Sequence, residues 1–275
     1  MVARGRRRYR LADWKALHVP EQPDKDPSLT FPFRETFQNL MSACPVQTAP
    51  LRDGKNERPY TYLKSGIERI VDVEKWLASM SRFVVCRDLL AVSMAVDFDR
   101  ERGDPSQPQT LVAQLRARAK PYDHEPTDDC YAAATHLAAE LLQLVEVVEA
   151  YSAAELIVSM PPSSPAKAYD LPRLLAGQLA ARWNKPDGGR VIRTTTARRQ
   201  VKNLPLSKKL DALEGTFEIE VEPVRGRTVL VVDDLYQSGA SMNFVAMKLL
   251  ELGARAVLGL AAEKTCRNDD NQVQV

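Results

Sequence analysis

The sequence predicts an α/β protein: a parallel sheet flanked by helices, preceded by an N-terminal extension or subdomain. Three observations carry this. Residues 155–160 (ELIVSM), 228–232 (TVLVV) and 256–261 (AVLGLA) are short apolar runs of the kind buried on both faces of a parallel sheet. Segments with helical spacing separate them, which is the alternation of a sheet covered on both sides. A length of 275 residues, with 44% hydrophobic and 27% charged, suits one elaborated globular domain or a domain with a smaller partner. The expected division is a basic arm or linker over 1–30, an N-terminal subdomain of unassigned type over 31–105, and the main α/β domain over 106–275.

The elements follow in chain order. Residues 1–30 are polar and basic, with Pro20, Pro23 and Pro27. The stretch 62–80 reads as helical, because Ile67, Ile70, Val71, Val73, Trp76, Leu77 and Met80 fall near helical spacing. Residues 83–98 fit strand, helix or both. Residues 103–108 are a loop by their Gly, Asp, Pro and Ser content. A short helix over 110–120 precedes a long one, capped by Asp128 or Asp129 and running to about 149. The long helix is apolar on most faces, so it and His136 are expected in the core. The strand 155–160 stops at Pro161 and Pro162. A helix over 171–183, a strand over 191–195, a basic connection over 196–215 and an alternating strand over 217–222 follow. Strand 228–232, an amphipathic helix over 241–252 stopped by Gly253, and strand 256–261 complete the pattern.

Composition excludes several function classes. Twelve Gly and 18 Pro rule out a collagen-like chain, and no apolar run approaches the 18 residues of a membrane span. The 38 Lys and Arg against 36 Asp and Glu leave +2, so bulk charge does not mark a nucleic-acid binder. Arg4, Arg6, Arg7, Arg8 and Arg10 are the local exception. This arm lacks the apolar core of a secretory signal, so a cytoplasmic protein is expected. It reads either as a solvated terminus or as a tether for phosphate backbone. Four scattered cysteines and three scattered histidines give no metal-ligand spacing, and free thiols are expected.

The segment 228–241, TVLVVDDLYQSGAS, carries the chemistry. A buried strand ends in Asp233 and Asp234, a short loop follows, and a helix starts at once. Free backbone N–H groups and the helix dipole at that start favour an anion. Gly239 permits close approach of the backbone, and the hydroxyls of Ser238 and Ser241 add donors. Two carboxylates at the carboxyl end of a strand suit a sugar diol or a hydrated divalent cation.

This segment resembles the phosphoribosyl-diphosphate (PRPP) signature of type I phosphoribosyltransferases. Val229–Val232 match its apolar run, Asp233 and Asp234 its acidic pair, and Ser238, Gly239, Ala240 and Ser241 its phosphate loop. Tyr236 and Gln237 depart from the pattern. From about 111 to 265 the chain resembles the ComF branch of that superfamily. Lys120 and Tyr122 stand at its basic-aromatic segment, and Met160, Pro161 and Pro162 at its Pro-rich turn. Lys167, Ala168, Tyr169 and Asp170 stand where Arg-Gly-Phe-Asn would be. Gln200, Lys208, Lys209, Gly215, Thr216 and Phe217 follow in the branch's order. The first 105 residues match nothing in it.

The resemblance implies a type I phosphoribosyltransferase-like fold and an enzyme that moves phosphoribose from magnesium-bound PRPP to a nitrogen acceptor, releasing pyrophosphate. The loop Tyr236, Gln237, Ser238, Gly239, Ala240 and Ser241 would hold the 5′-phosphate. Asp233 and Asp234 would hold the ribose hydroxyls and, through PRPP and water, the magnesium. Ser163, Ser164 and Lys167 would hold pyrophosphate. Arg198, Arg199 and Lys202 would clamp the leaving group from a closing loop; the same cluster also reads as a solvated surface loop. Two other functions stay open: a PRPP- or nucleotide-sensing module without turnover, and a nucleic-acid-associated protein acting with partners through the Arg-rich arm. A homodimer or protein partner is compatible with each. The acceptor is not legible.

Overall fold

The computed structural model describes residues 8–22, 25–54, 58–64, 67–121, 125–166, 168–197 and 206–266. Of the expected site residues, Lys167, Arg198, Arg199 and Lys202 lie outside them, as do Arg4, Arg6, Arg7, Tyr122 and Gln200.

A six-stranded sheet organises the molecule. Its strands are β1 (Arg8–Arg10), β6 (Val84–Cys86), β7 (Val92–Phe98), β8 (Leu156–Ser159), β11 (Thr228–Tyr236) and β12 (Ala256–Lys264), in the spatial order β1-β6-β7-β12-β11-β8. The last four in that order run parallel, with Val231 opposite Gly259 and Val232 opposite Ser159. β6 and β1 continue the sheet in antiparallel fashion. All four parallel strands are buried along nearly their whole length, as their apolar runs require. Residues 83–98, ambiguous by pattern, are thus two strands, and the sheet draws on chain from both sides of position 105.

Helices α3 (Leu111–Ala119), α4 (Asp128–Val147) and α5 (Leu171–Trp183) cover one face, and α7 (Ala240–Glu251) the other. Leu230 and Val232 belong to the first core, Val229 and Val231 to the second. This is the strict alternation of a strand, and it governs the site below. Gly253, at φ 94°, ends α7 as expected.

The N-terminal segment adds a four-stranded antiparallel sheet of β2 (Leu17–His18), β3 (Ser28–Thr30), β4 (Arg52–Asp53) and β5 (Pro59–Tyr62), in the order β2-β3-β5-β4. Helices α1 (Glu35–Leu40) and α2 (Ile70–Met80) accompany it. Phe31, Phe33 and Phe37 join its core to the first face of the main sheet. A two-stranded ribbon of β9 (Ile192–Thr194) and β10 (Phe217–Ile219) and the short α6 (Leu206–Asp211) complete the described strands and α-helices.

Four local expectations are corrected. The stretch 62–80 is not one helix: β5 ends at Tyr62, and α2 begins only at Ile70. Thr127, not an Asp, caps α4, its hydroxyl accepting from the Cys130 N–H. Helix α4 buries only one side, and His136 stands on its exposed side. The arm is not loose at its inner end: Tyr9 packs on the core, Arg10 pairs with Asp97, and its guanidinium lies 5.7 Å from the centre of the Phe98 ring.

Candidate active site

The site forms at the carboxyl ends of the parallel strands, where loops leave an α/β sheet free to meet a ligand. Strand alternation sends the adjacent carboxylates of β11 to opposite faces. Asp234 follows Leu230 and Val232 toward α3, where it is buried and paired with Lys120 Nζ. Arg116 Nη1 approaches the same Asp234 oxygen at 3.7 Å, while its Nε donates to Glu263 at 2.6 Å. Burial pushes the Glu263 carboxyl up, and Arg116 opposes this.

Asp233 turns the other way. It lines a cavity of about 120 Å³ with Leu235, the loop residues Tyr236, Gln237, Ser238, Gly239, Ala240 and Ser241, and Lys209 from α6. Desolvation, reinforced by the charge of Asp234, pushes the Asp233 carboxyl up to about 8, against the pull of Lys120 and two backbone N–H groups. The expected pair is therefore split: one carboxylate faces the loop cavity, the other is held by cations behind the strand.

The loop is built around Gly239, at φ 77°, which is the N-cap of α7. A Cβ there would stand 2.1 Å from the Tyr236 hydroxyl. Only glycine satisfies both conditions. That hydroxyl donates to Asp88 Oδ2 at 2.8 Å, beneath the loop. Burial lifts Asp88 to about 6, although the Leu90 N–H and the Tyr236 hydroxyl both donate to it. Asn243 donates to the Gly239 carbonyl and accepts from the Leu89 N–H, at 2.8 and 3.0 Å. Lys264, buried at the end of β12, donates to the carbonyls of Gln237 and Thr265 at 2.7 and 2.8 Å. The loop thus presents the first turn of α7 to the cavity, with its carbonyls tied back.

The second turn leaves β8 beside this loop. Met160 N–H donates to the Val232 carbonyl at 2.8 Å, so Pro161–Ser164 emerges next to Asp233 in the sheet. Ser163 is exposed, and Ser164 accepts from the Ala166 N–H at 3.3 Å. Thr194 of β9 donates to the Pro162 carbonyl at 2.7 Å and fastens the ribbon to this turn.

Lys120, Lys209, Lys264 and Asp88 are the parts that periodicity does not single out. Lys209 falls in a short helix inside a polar connection, and Lys264 at a strand end. The one available signal was Lys120 and Lys209 standing in the ComF-like order.

The described residues include no group of three or more His, Cys, Asp or Glu placed to hold a metal ion. All four cysteines are free. No described helix is long and apolar enough to cross a membrane.

No family model matches the chain, and no curated protein matches it. Solved structures do. A hypothetical protein from Neisseria gonorrhoeae with bound ppGpp is 15% identical, with a TM-score of 0.35, over 52% of this chain and 73% of its own. A hypoxanthine-guanine phosphoribosyltransferase from Bacillus anthracis is 14% identical, with a TM-score of 0.34, over 52% and 73%. The Trypanosoma cruzi hypoxanthine phosphoribosyl transferase is 11% identical, with a TM-score of 0.32, over 60% and 70%.

Proposed function

We propose that this chain binds PRPP and acts as a ComF-like phosphoribosyltransferase, moving phosphoribose to a nitrogen acceptor with release of pyrophosphate. One observation carries this: a cavity that brings together the start of α7, the Gly239 loop, Lys209 and the carboxylate of Asp233. Backbone N–H groups at a helix start and a lysine suit a phosphate, and a carboxylate beside them suits sugar hydroxyls. Seryl hydroxyls at 238 and 241 add donors. Displacement at the sugar needs alignment and charge neutralisation more than a nucleophile, and the chain's residues supply those.

In this reading Asp233, ionised on meeting the sugar, accepts from its hydroxyls, while Asp234 organises Lys120 and Arg116 at the strand end. The turn at Ser163 and Ser164, with Lys167, faces the departing pyrophosphate. Arg198, Arg199 and Lys202 close over it and exclude water. Magnesium would enter on the donor's phosphate oxygens, with Asp233 the carboxylate lining that cavity, and would neutralise charge on the leaving group.

Pyrophosphate release by the whole chain, with PRPP, magnesium and a panel of nitrogen bases, tests this. Turnover that falls far more than PRPP affinity when Arg198, Arg199 and Lys202 are all replaced by Ala is the expected outcome, because charge on the departing oxygens grows toward the transition state. An active wild type whose triple variant keeps full turnover removes the loop from the mechanism. A second reading has one observation in its favour: Asp234 is already held by Lys120, leaving a single carboxylate at the cavity. That arrangement suits a module that binds PRPP without turnover, and PRPP affinity with no pyrophosphate release from any base is its signature.

A further inference from the structure

We propose a second ligand site, for a nucleotide whose base carries an exocyclic amine, in the groove between helix α5 and the segment 187–194. The groove holds about 1020 Å³. It runs along one side of α5 through Arg173, Leu174, Gly177, Gln178 and Ala181. Nothing in the loop chemistry above uses it.

Arg173 and Arg190 line the groove without a carboxylate partner among the described residues, whereas neighbouring Arg193 is paired with Glu220 at 3.2 Å. Two guanidiniums on one groove suit a phosphate. Deeper along α5, Gln178 keeps a buried Oε1 with no donor among the described residues. An unmet buried acceptor is costly, so turning this amide out of the wall to meet a ligand N–H relieves it. Asp187 Oδ2 is a second acceptor, 3.7 Å from where a Cβ on Gly177 would stand.

Gly177 itself is the third piece. A glycine inside a helix costs about 1 kcal/mol relative to alanine. Its missing side chain meets no neighbour closer than that Asp187 oxygen, so tight packing does not demand it. It leaves the groove open beside the Asp187 carboxylate. These acceptors favour bases with an exocyclic amine over uracil, whose single free N–H lies between two carbonyls.

This groove is not an acceptor pocket for the proposed reaction. It opens at Ser159 and Pro162, on the side of the turn assigned above to leaving pyrophosphate. Displacement at the sugar carbon places acceptor and leaving group on opposite faces. That exclusion rests on the proposed function; the ligand site itself does not.

Calorimetric titration of the whole chain with AMP, GMP, CMP and UMP tests it. The expected result is binding of at least one amine-bearing nucleotide, weaker or absent for UMP. Arg173→Ala with Arg190→Ala should weaken it about tenfold or more, and Gly177→Leu, which improves helix propensity while filling the groove, should abolish it. Gly239→Val should leave it unchanged, while PRPP affinity follows the opposite pattern across the same variants. No binding at millimolar nucleotide, binding indifferent to the groove variants, or binding lost instead with Gly239→Val would each overturn the proposal. Failure of PRPP to bind the wild type would count against the proposed function alone.

Discussion

Asp233 is a carboxylic acid held mostly neutral near pH 7 in a cavity that also holds a lysine. Its folded pKa of about 8 lies far above the ordinary 3.8, so the folded chain binds its proton more tightly than the unfolded chain. The stability tied to that proton is fully present below about pH 4 and is lost progressively as pH rises to about 8. Replacing Asp233 by Asn removes the penalty. Thermal melts should therefore show Asp233→Asn stabilised relative to wild type, with a larger gap at pH 8 than at pH 5. A gap that is constant with pH would show that this carboxyl is not desolvated.

Gly239 makes the opposite kind of demand. A left-handed residue with a Cβ costs about 1–2 kcal/mol before any clash, and more when branched. Gly239→Val must also displace the Tyr236 hydroxyl from Asp88. The variant should melt several degrees lower, and Tyr236→Phe in the same background should recover part of the loss, since the oxygen in the way is gone. No recovery would mean that the backbone angle and the remaining contact with the ring, whose Cζ stands 2.5 Å from that Cβ, set the cost.

The element that matters is the β11–loop–α7 unit, fastened at three points by residues from elsewhere in the chain. Lys264 ties the Gln237 carbonyl, Asp88 the Tyr236 hydroxyl, and Asn243 links the Gly239 carbonyl to the Leu89 N–H. Lys264→Met keeps the apolar stem and removes the donor. PRPP affinity should fall while secondary structure is retained, because the loop's carbonyls are then free to turn into the cavity. Equal affinity in the folded variant would show that the loop needs no such fastening.

Much of this unit was legible in the sequence. An apolar run, two acids and a Gly-Ser loop before an amphipathic pattern demand a strand, a turn and a helix start at those positions. What the acids do was not legible as a pair. Period-2 alternation puts neighbours on opposite faces, and only the placement of Lys120 and Arg116 shows which carboxylate is taken. Residues 83–98 stayed ambiguous because a strand buried on both faces has no periodicity to read. His136 was misplaced because alanines on α4 count as apolar in a pattern but tolerate exposure: Ala132 is exposed on the same side.

At the scale of the whole molecule, the N-terminal segment is part of the sheet that positions the site. β7 lies between β6 and β12, in the middle of the strand order, and β1 closes the edge through β6. Asp88 and Leu89 reach from this segment to the phosphate-loop candidate. A chain starting at residue 106 would leave the apolar β12 without its neighbour and as an open edge. It should fail to give a cooperative melt or soluble protein. A soluble, cooperatively melting fragment would show instead that the two parts fold separately.

The Gly239 loop and Asp233 are proposed as the two halves of one PRPP site. Its most direct measurement is a calorimetric titration of PRPP with magnesium into the wild-type chain and into Gly239→Val and Asp233→Asn. Saturable binding to the wild type is expected, with no detectable binding to folded Gly239→Val and at least about a tenfold loss for Asp233→Asn, the value of a charged hydrogen bond to a sugar hydroxyl. Wild-type affinity retained by both folded variants would contradict it.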